Sequence, residues 1–305
     1  MGNMDMGNRI VSKRLLADNI YLMEIESKRV SKSAKPGQFV IVKMDEKGER
    51  IPLTIADYDK NKNTVTIVFQ AVGASTKLLA DLSEGDFIMD FVGPLGQPSE
   101  FIKEDISKLK NKNIIFIAGG VGAAPVYPQV KWFKENNLDV DVIIGSRNKE
   151  LLILEDEMRA VAKNLYVSTD DGSYGYDGRV TDLLKDLVQK QGKKYDHAVV
   201  IGPMIMMKFT SMLTKELEIP TIVSLNPIMV DGTGMCGACR VSLGDEIKFA
   251  CVDGPEFDGH LVNFDEAMRR QAMYKSEEGR ALLESEDRGT SHHSNCGCGG
   301  NYYGE

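Results

Sequence analysis

Apolar positions along the first hundred residues come in short runs rather than long stripes. "NIYLMEIES", "GQFVIVKM", "IPLTIADYD" and "NTVTIVFQAV" alternate or cluster apolar and β-branched residues, the period of strands. Pro36-Gly37, Lys60-Asn61 and Glu84-Gly85-Asp86 mark turns between them. Strands at this spacing predict a small antiparallel barrel.

Near residue 110 the pattern changes. "NIIFIAGG" and "DVDVIIGS" read as buried strands, with the helical "PVYPQVKWFKENN" between them. "LLILEDEMRAVA", "LYVSTDDG", "VTDLLKDLVQKQG", "HAVVIGP", "IMMKFTSMLTKELE" and "PTIVSL" continue the alternation of helix and strand. That alternation predicts a doubly wound parallel sheet of roughly five strands. It stops at about Asn226, where a cysteine-bearing segment begins. A helical stretch follows at Asp265 to Lys275, then a polar tail from about Ser276. The fold class is therefore β + α/β. The expected units are a barrel over 1–105, a doubly wound sheet over 106–225, a small cysteine segment over 226–275 and a tail over 276–305.

Composition narrows the function classes. A chain of 305 residues with 42% apolar content has ample material for two or three cores. A net charge of -8 argues against a nucleic-acid surface. No apolar run is long enough to span a membrane, and the N-terminus lacks a signal-peptide core. Five cysteines stand at 236, 239, 251, 296 and 298, all in the last quarter of the chain. That is no disulfide framework; a cytoplasmic protein with a local metal site fits better.

"IAGGVGAAP" (Ile117 to Pro125) places Gly119, Gly120 and Gly122 at a strand end and Pro125 in the first turn of the next helix. Glycines let a backbone approach a pyrophosphate, and the helix N-terminus offers N–H groups. The same turn also serves as a plain tight connection. In "IIGSRNKE", Ser146 and Arg147 could meet a 2'-phosphate, or Arg147 is simply a solvated surface residue. NADH and NADPH both stay open. "TDDGSYGYDG", which holds Asp171, is either a loop bordering a nicotinamide or a surface turn. "IGPMIMMK" puts Gly202 and Pro203 at a second strand-to-helix turn.

A barrel followed by "GGVGAAP" and "IGPMIMM" resembles the ferredoxin–NADP reductase superfamily. "KPGQF" (Lys35 to Phe39) resembles the proline-glycine turn of those flavin barrels. "RIPLTI" (Arg50 to Ile55) sits where that superfamily carries an Arg-x-Tyr-Ser or Arg-x-Tyr-Thr flavin motif. Leu53 replaces the aromatic, and Arg50 stands one position early relative to Thr54. The resemblance therefore carries over to Thr54 and the backbone of Pro52, Leu53 and Ile55 rather than to Arg50. "AVGASTKLL" resembles the second motif, implying that Gly73, Ser75 and Thr76 bind the FAD pyrophosphate.

In "VDGTGMCGACRV" and "KFACVDG", Asp231-x4-Cys236-x2-Cys239-x11-Cys251 has the spacing of a four-ligand two-iron site with aspartate in the first place. Asp231 could alternatively be a turn residue bonding its own loop, and the cysteines a zinc knuckle. "RIPLTIADYD", "DGTGMCGACRV" and "FACVDGPEFDGH" resemble the electron-transfer subunit of dihydroorotate dehydrogenase. They resemble still more the small subunit of NADH-dependent reduced ferredoxin:NADP oxidoreductase, also described as a sulfide dehydrogenase subunit. The resemblance implies FAD, a 2Fe-2S cluster held by Asp231, Cys236, Cys239 and Cys251, and NAD(H) as substrate, with NADP(H) open. It implies a larger partner subunit carrying a second flavin, 4Fe-4S clusters and an NADPH site, and ferredoxin indirectly. Together they would perform flavin-based electron bifurcation, and no catalytic acid or base is required in this chain. A dihydroorotate-oxidising partner is the nearest rival, against which Asp231 speaks by breaking a four-cysteine pattern. A non-catalytic zinc-binding scaffold is the rival of another class. Cys296 and Cys298, with His292 and His293, could bind a metal or form a tail with no role.

Overall fold

The computed structural model describes residues 8–46 and 48–292. Seven strands form first: β1 (Asn8–Ala17), β2 (Ile20–Glu26), β3 (Phe39–Lys43), β4 (Ile51–Asp59), β5 (Thr64–Gln70), β6 (Phe87–Ile88) and β7 (Asp90–Leu95). They make one antiparallel sheet in the order β6-β1-β2-β5-β4-β3-β7, curled into a nearly closed barrel. Helices α1 (Lys28–Ser33) and α2 (Ala74–Asp81) lie in its connections, and α3 (Glu100–Lys103) and α4 (Ile106–Leu109) lead out of it.

Strand β3 shows why "FVIV" reads as an unbroken apolar run. Side chains alternate across a strand. Val40 and Val42 enter the barrel core beside Ile10, Met23, Ile55 and Ile67. Phe39 and Ile41 face outward and are buried in a second core. Pairing puts Thr54 opposite Phe39 and Pro52 opposite Ile41. The outer face of β3 and β4 is thus an internal boundary, not a solvent face.

The second sheet runs from edge to edge as Tyr176–Asp177, Asn164–Thr169, Asp141–Ser146, Ile114–Gly119, His197–Ile201, Thr221–Ser224 and Glu256–Asp258. β8 (Ile114–Gly119), β9 (Asp141–Ser146), β10 (Asn164–Thr169), β12 (His197–Ile201) and β13 (Thr221–Ser224) are parallel. These are the five strands expected. Two short edges complete the sheet, β11 (Tyr176–Asp177) and β16 (Glu256–Asp258). β16 comes from the cysteine segment and pairs antiparallel with β13, so the sheet is mixed.

Helices cover both faces. α5 (Ala123–Glu135) and α6 (Glu155–Val161) pack with Phe116, Val142, Ile144 and Val199. α7 (Val180–Lys185) and α8 (Met204–Glu216) pack with Ile115, Ile117, Ile143 and Val200. α6 is shorter than "LLILEDEMRAVA" suggests. Leu154 takes a left-handed backbone at φ +57 to bury its side chain, so the helix starts only at Glu155, where three acids suit its N-terminus.

In the C-terminal segment, β14 (Arg240–Leu243) and β15 (Glu246–Phe249) form a hairpin, followed by α9 (Phe264–Gln271) and α10 (Lys275–His292). The start of the polar tail is thus helical, in keeping with its Glu, Lys, Arg, Ala and Leu, and it lies against α2. His293, Cys296 and Cys298 lie outside the described residues. No helix among the described residues is long and apolar enough to cross a membrane.

Candidate functional site

The strand β4 motif divides by side. Leu53 and Ile55 turn into the barrel core, while Pro52 and Thr54 lie on the outer face against β3. Gly73 is the N-cap of α2, and Thr76 Oγ1 accepts from the Gly73 and Val72 N–H groups at 2.9 and 3.1 Å. The Ser75 hydroxyl donates to Glu49 at 2.6 Å. The second motif therefore does build a helix N-terminus, but with a carboxylate beside it.

The nucleotide turns meet at the centre of the second sheet. The chain winds outward from β8 in both directions, so the carboxyl ends of β8 and β12 form the switch point where ligands bind in such folds. Gly119 ends β8, Gly120 to Gly122 form a tight 3-10 turn, and α5 follows with Pro125 in its first turn. Gly122 has ordinary helical backbone but no spare room, since a Cβ there would sit 2.2 Å from the Ile201 carbonyl oxygen. A Cβ on Gly119 would meet Met206 Sδ at 2.3 Å, and one on Gly202 would meet Met206 Cε at 2.8 Å. Pro203 caps α8. Gly119, Gly122, Gly202 and Pro203 are thus one packed junction under the N-terminus of α5.

Arg147 is exposed after β9. Its carbonyl accepts from the Asp171 N–H at 3.1 Å, so the two loops are tied through backbone. The Asp171 carboxylate bonds Ser173 N–H at 2.9 Å. Its pKa is held below the usual range by the side chain and backbone of Ser173.

The cysteine loop lies on the outer face of the barrel. Gly232 has φ +84, and a Cβ there would sit 3.0 Å from Ile41 Cγ1 and 3.1 Å from Leu95 Cδ1. Only glycine satisfies both the backbone and the contact. Gly234 and Gly237 are left-handed as well. Cys239 and Cys251 are buried with their sulfurs 3.2 Å apart. Burial, then the Cys239 thiol, pushes the Cys251 thiol well above its ordinary range. Cys236 is exposed, and the Ala238 N–H followed by the Asp231 N–H lowers its pKa. Asp231 Oδ2 accepts from Thr233 N, Thr233 Oγ1 and Met235 N at 2.8, 2.7 and 3.1 Å. The turn role of Asp231 is therefore real, and it occupies one of the two carboxylate oxygens. Among the described residues no three His, Cys, Asp or Glu side chains converge as a metal site.

The donor set nonetheless suits a cluster. Two buried thiols at 3.2 Å gain nothing from each other as thiolates and need a cation to ionise. A third thiol is already tuned toward its thiolate by backbone donors.

Four residues outside the expected set also matter. Arg50 donates to the carbonyls of Val230 and Asp231, and Arg270 to that of Ala238 at 3.1 Å. Gln97 binds the Val252 carbonyl from its side chain at 3.0 Å and the Gly254 carbonyl from its backbone at 2.7 Å. Glu256 accepts from Gln129 Nε2 at 2.8 Å, at the meeting of barrel, α5 and β16. Arg50 and Glu256 stand inside the quoted motifs, but contacts to residues distant along the chain leave no pattern in a sequence.

Residues 226–263 match the family described as the iron-sulfur cluster binding domain of dihydroorotate dehydrogenase B, and residues 116–212 match the oxidoreductase NAD-binding domain. An uncharacterized protein in the adh 3' region of Clostridium beijerinckii is 72% identical over 292 residues, covering 96% of this chain and 99% of that protein. A dihydroorotate dehydrogenase B (NAD(+)), electron transfer subunit homolog of Thermotoga maritima is 46% identical over 271 residues, covering 89% of this chain and 93% of its own length. One solved chain superposes with a TM-score of 0.84 at 44% identity, covering 93% of this chain and 99% of that one. It comes from the NADH-dependent reduced ferredoxin-NADP oxidoreductase, studied for flavin-based electron bifurcation.

Proposed function

The chain belongs to the family of dihydroorotate dehydrogenase B electron-transfer subunits, and on that premise we propose that it is the NAD-side subunit of a bifurcating oxidoreductase. It is an NAD(P)H-dependent redox subunit that works with FAD, NAD(H) and an iron–sulfur cluster. Residues 1–105 serve FAD, 106–225 serve NAD(H), and 226–275 serve the 2Fe-2S cluster. Bound together, these cofactors supply the conversion of a two-electron hydride into single electrons.

The residues of the chain supply placement. The observation that carries the reading is the seat of the cysteine loop: Gly232 rests on Ile41 and Leu95, on the same outer barrel face that bears Pro52 and Thr54. The strand that would hold a flavin and the loop that would hold a cluster thus share one face, as electron transfer between the two groups would need. The packed junction of Gly119, Gly122 and Gly202 leaves the α5 N–H groups open to a pyrophosphate. Asp231 keeps one oxygen for its own turn and offers the other to iron, while Cys236, Cys239 and Cys251 supply the sulfurs.

The partner is a larger subunit that carries a second flavin, 4Fe-4S clusters and an NADPH site. Apolar side chains stand exposed around the loop, with Val230, Met235, Met273 and Tyr274 all more than half exposed and Met235 at 88%. Such a patch beside an electron exit suits a docking face. A cytoplasmic setting suits cysteines gathered in the last quarter of the chain rather than spread as a disulfide framework.

The test is a count of FAD, iron, acid-labile sulfide and zinc per chain, on protein purified without oxygen. One flavin with about two irons and two sulfides is expected. Zinc without flavin would sink the reading.

A further inference from the structure

The cysteine loop has an inward side, which meets sulfur, and an outward side, which is gripped. Arg50 donates from Nε to the Val230 carbonyl oxygen at 2.9 Å and from Nη2 to that of Asp231 at 3.4 Å. A trans peptide points its C=O and N–H in opposite directions. The unit that begins with the Val230 carbonyl ends with the Asp231 N–H, which is among the backbone donors that lower the pKa of the Cys236 thiol. One peptide thus has a guanidinium on its oxygen and turns its N–H toward the cysteine loop. A cation on the oxygen polarises the unit and strengthens that N–H as a donor to sulfur. Hydrogen bonds to sulfur and local charge are what set the potential of such a cluster.

We propose that Arg50 is a positioning residue for the iron–sulfur site, raising its reduction potential through the Val230–Asp231 peptide, and not a ligand of the flavin diphosphate. The inference rests on the reading of this loop as a 2Fe-2S site. The surroundings of Arg50 agree with it. Its third nitrogen lies 3.8 Å from Asp90. The polar groups at the N-terminus of α2, where a diphosphate is expected, are Thr76, Ser75 and Glu49. Arg270 holds the other limb in the same manner, through the Ala238 carbonyl between Cys236 and Cys239. Its Nε is sealed from solvent with no partner among the described residues.

The test compares wild type, Arg50→Gln and Arg50→Lys as full-length protein purified without oxygen. FAD and iron per chain are measured first, then the cluster potential by redox titration followed by electron paramagnetic resonance. All three proteins are expected to hold equal FAD and iron. At a fixed poise, Arg50→Gln should show a reduced-to-oxidised ratio lowered about tenfold, which is about 59 mV for one electron. Arg50→Lys should recover part of that shift, because it restores the charge. Loss of FAD from both variants with an unchanged cluster potential would overturn the proposal, and so would no change in either quantity. A wild-type protein without iron would remove the cluster reading itself, a result distinct from both.

Discussion

The sulfur atoms of Cys239 and Cys251 meet at 3.2 Å because a hairpin folds between them. Cys239 stands just before β14 and Cys251 just after β15. The ladder runs from Arg240 against Phe249 to Leu243 against Glu246. The Ala250 N–H closes it on the Cys239 carbonyl at 3.1 Å. The eleven-residue interval thus has a physical cause: two four-residue strands, a two-residue turn and Ala250 return the chain to its start. Val241 is buried and Phe249 half-buried in the same apolar cluster as the two cysteines. The loop bearing Asp231 and Cys236 has no ladder of its own. It is shaped by left-handed glycines and by the carboxylate of Asp231.

Asp231 shapes its own turn and is the proposed fourth ligand, and two substitutions should separate the observed role from the proposed one. Asp231→Asn keeps an oxygen for Thr233 and Met235 but offers iron a neutral amide. Asp231→Ala removes both functions. The Asn variant should shift or weaken the visible cluster spectrum with FAD retained. The Ala variant should lose more of it and also unfold at a lower temperature, because the bonds from Thr233 and Met235 are lost. Identical spectra and potentials in wild type and Asn would remove Asp231 from the ligand set and leave it as a turn residue.

Gly122→Ala tests the nucleotide junction. The backbone at Gly122 is helical at φ -59, so alanine meets no conformational barrier. The obstacle is the Ile201 carbonyl, 2.2 Å from the new Cβ, and backbone cannot swing aside as a side chain can. Overpacking of this kind costs about 1–3 kcal/mol. Thermal unfolding should shift downward, and the affinity for NADH should fall at least tenfold while FAD and iron content hold. By contrast, Gly119→Ala presses mainly on the flexible end of Met206, and its loss should be smaller. Equal losses at the two positions would argue against this account.

Glu49 should weaken flavin binding. Its carboxylate accepts from Ser75 at 2.6 Å, at the N-terminus of α2. A diphosphate at that helix end would face a like charge and compete for the same hydroxyl. Glu49→Gln removes the charge and keeps an acceptor. Apoprotein titrated with FAD should bind several-fold tighter in the variant, since a surface charge contact is worth up to about 1 kcal/mol. The gain should shrink in high salt. Unchanged affinity at low salt would place the diphosphate elsewhere.

Much of this architecture is legible along the chain. "IAGGVGAAP" and "IGPMIMMK" predict two strand-to-helix turns, and the sheet brings both to one junction. The runs from "GQFVIVKM" to "NTVTIVFQAV" predict a barrel because their alternation is local. What escapes is long-range and one-sided. β16 is three residues of the cysteine segment, and nothing in "EFD" says that it will pair with β13. The reach of Arg50 to residues 180 positions away is set by which barrel face the loop covers. Pattern reports which side of a strand a residue takes, but not what arrives to cover it.

Glu256 gives the last prediction, a pH dependence. Its Oε1 accepts from Gln129, while Oε2 is cut off from solvent with no hydrogen-bond partner among the described residues, as are Ser99 Oγ and Gln129 Oε1. Glu100 adds a like charge, and Gly37 closes the space on the barrel side. Burial, the larger cause, raises the carboxyl from 4.5 to about 7. A neutral Glu256 removes the cost of holding a charge in this buried place, a cost larger than the help from the Ser99 and Gln129 side chains. The fold therefore prefers the protonated form. The stability this contributes is full below pH 4.5 and is lost as pH rises through about 7. The loss is on the order of 3 kcal/mol at most, from the 1.36 kcal/mol carried by each unit. Glu256→Gln keeps the shape, supplies a permanent donor and does not titrate. Its unfolding temperature should match wild type near pH 5, exceed it near pH 8, and separate from it between those values. Equal stability of the two proteins at pH 8 would mean that the folded protein holds an ionised Glu256 without penalty.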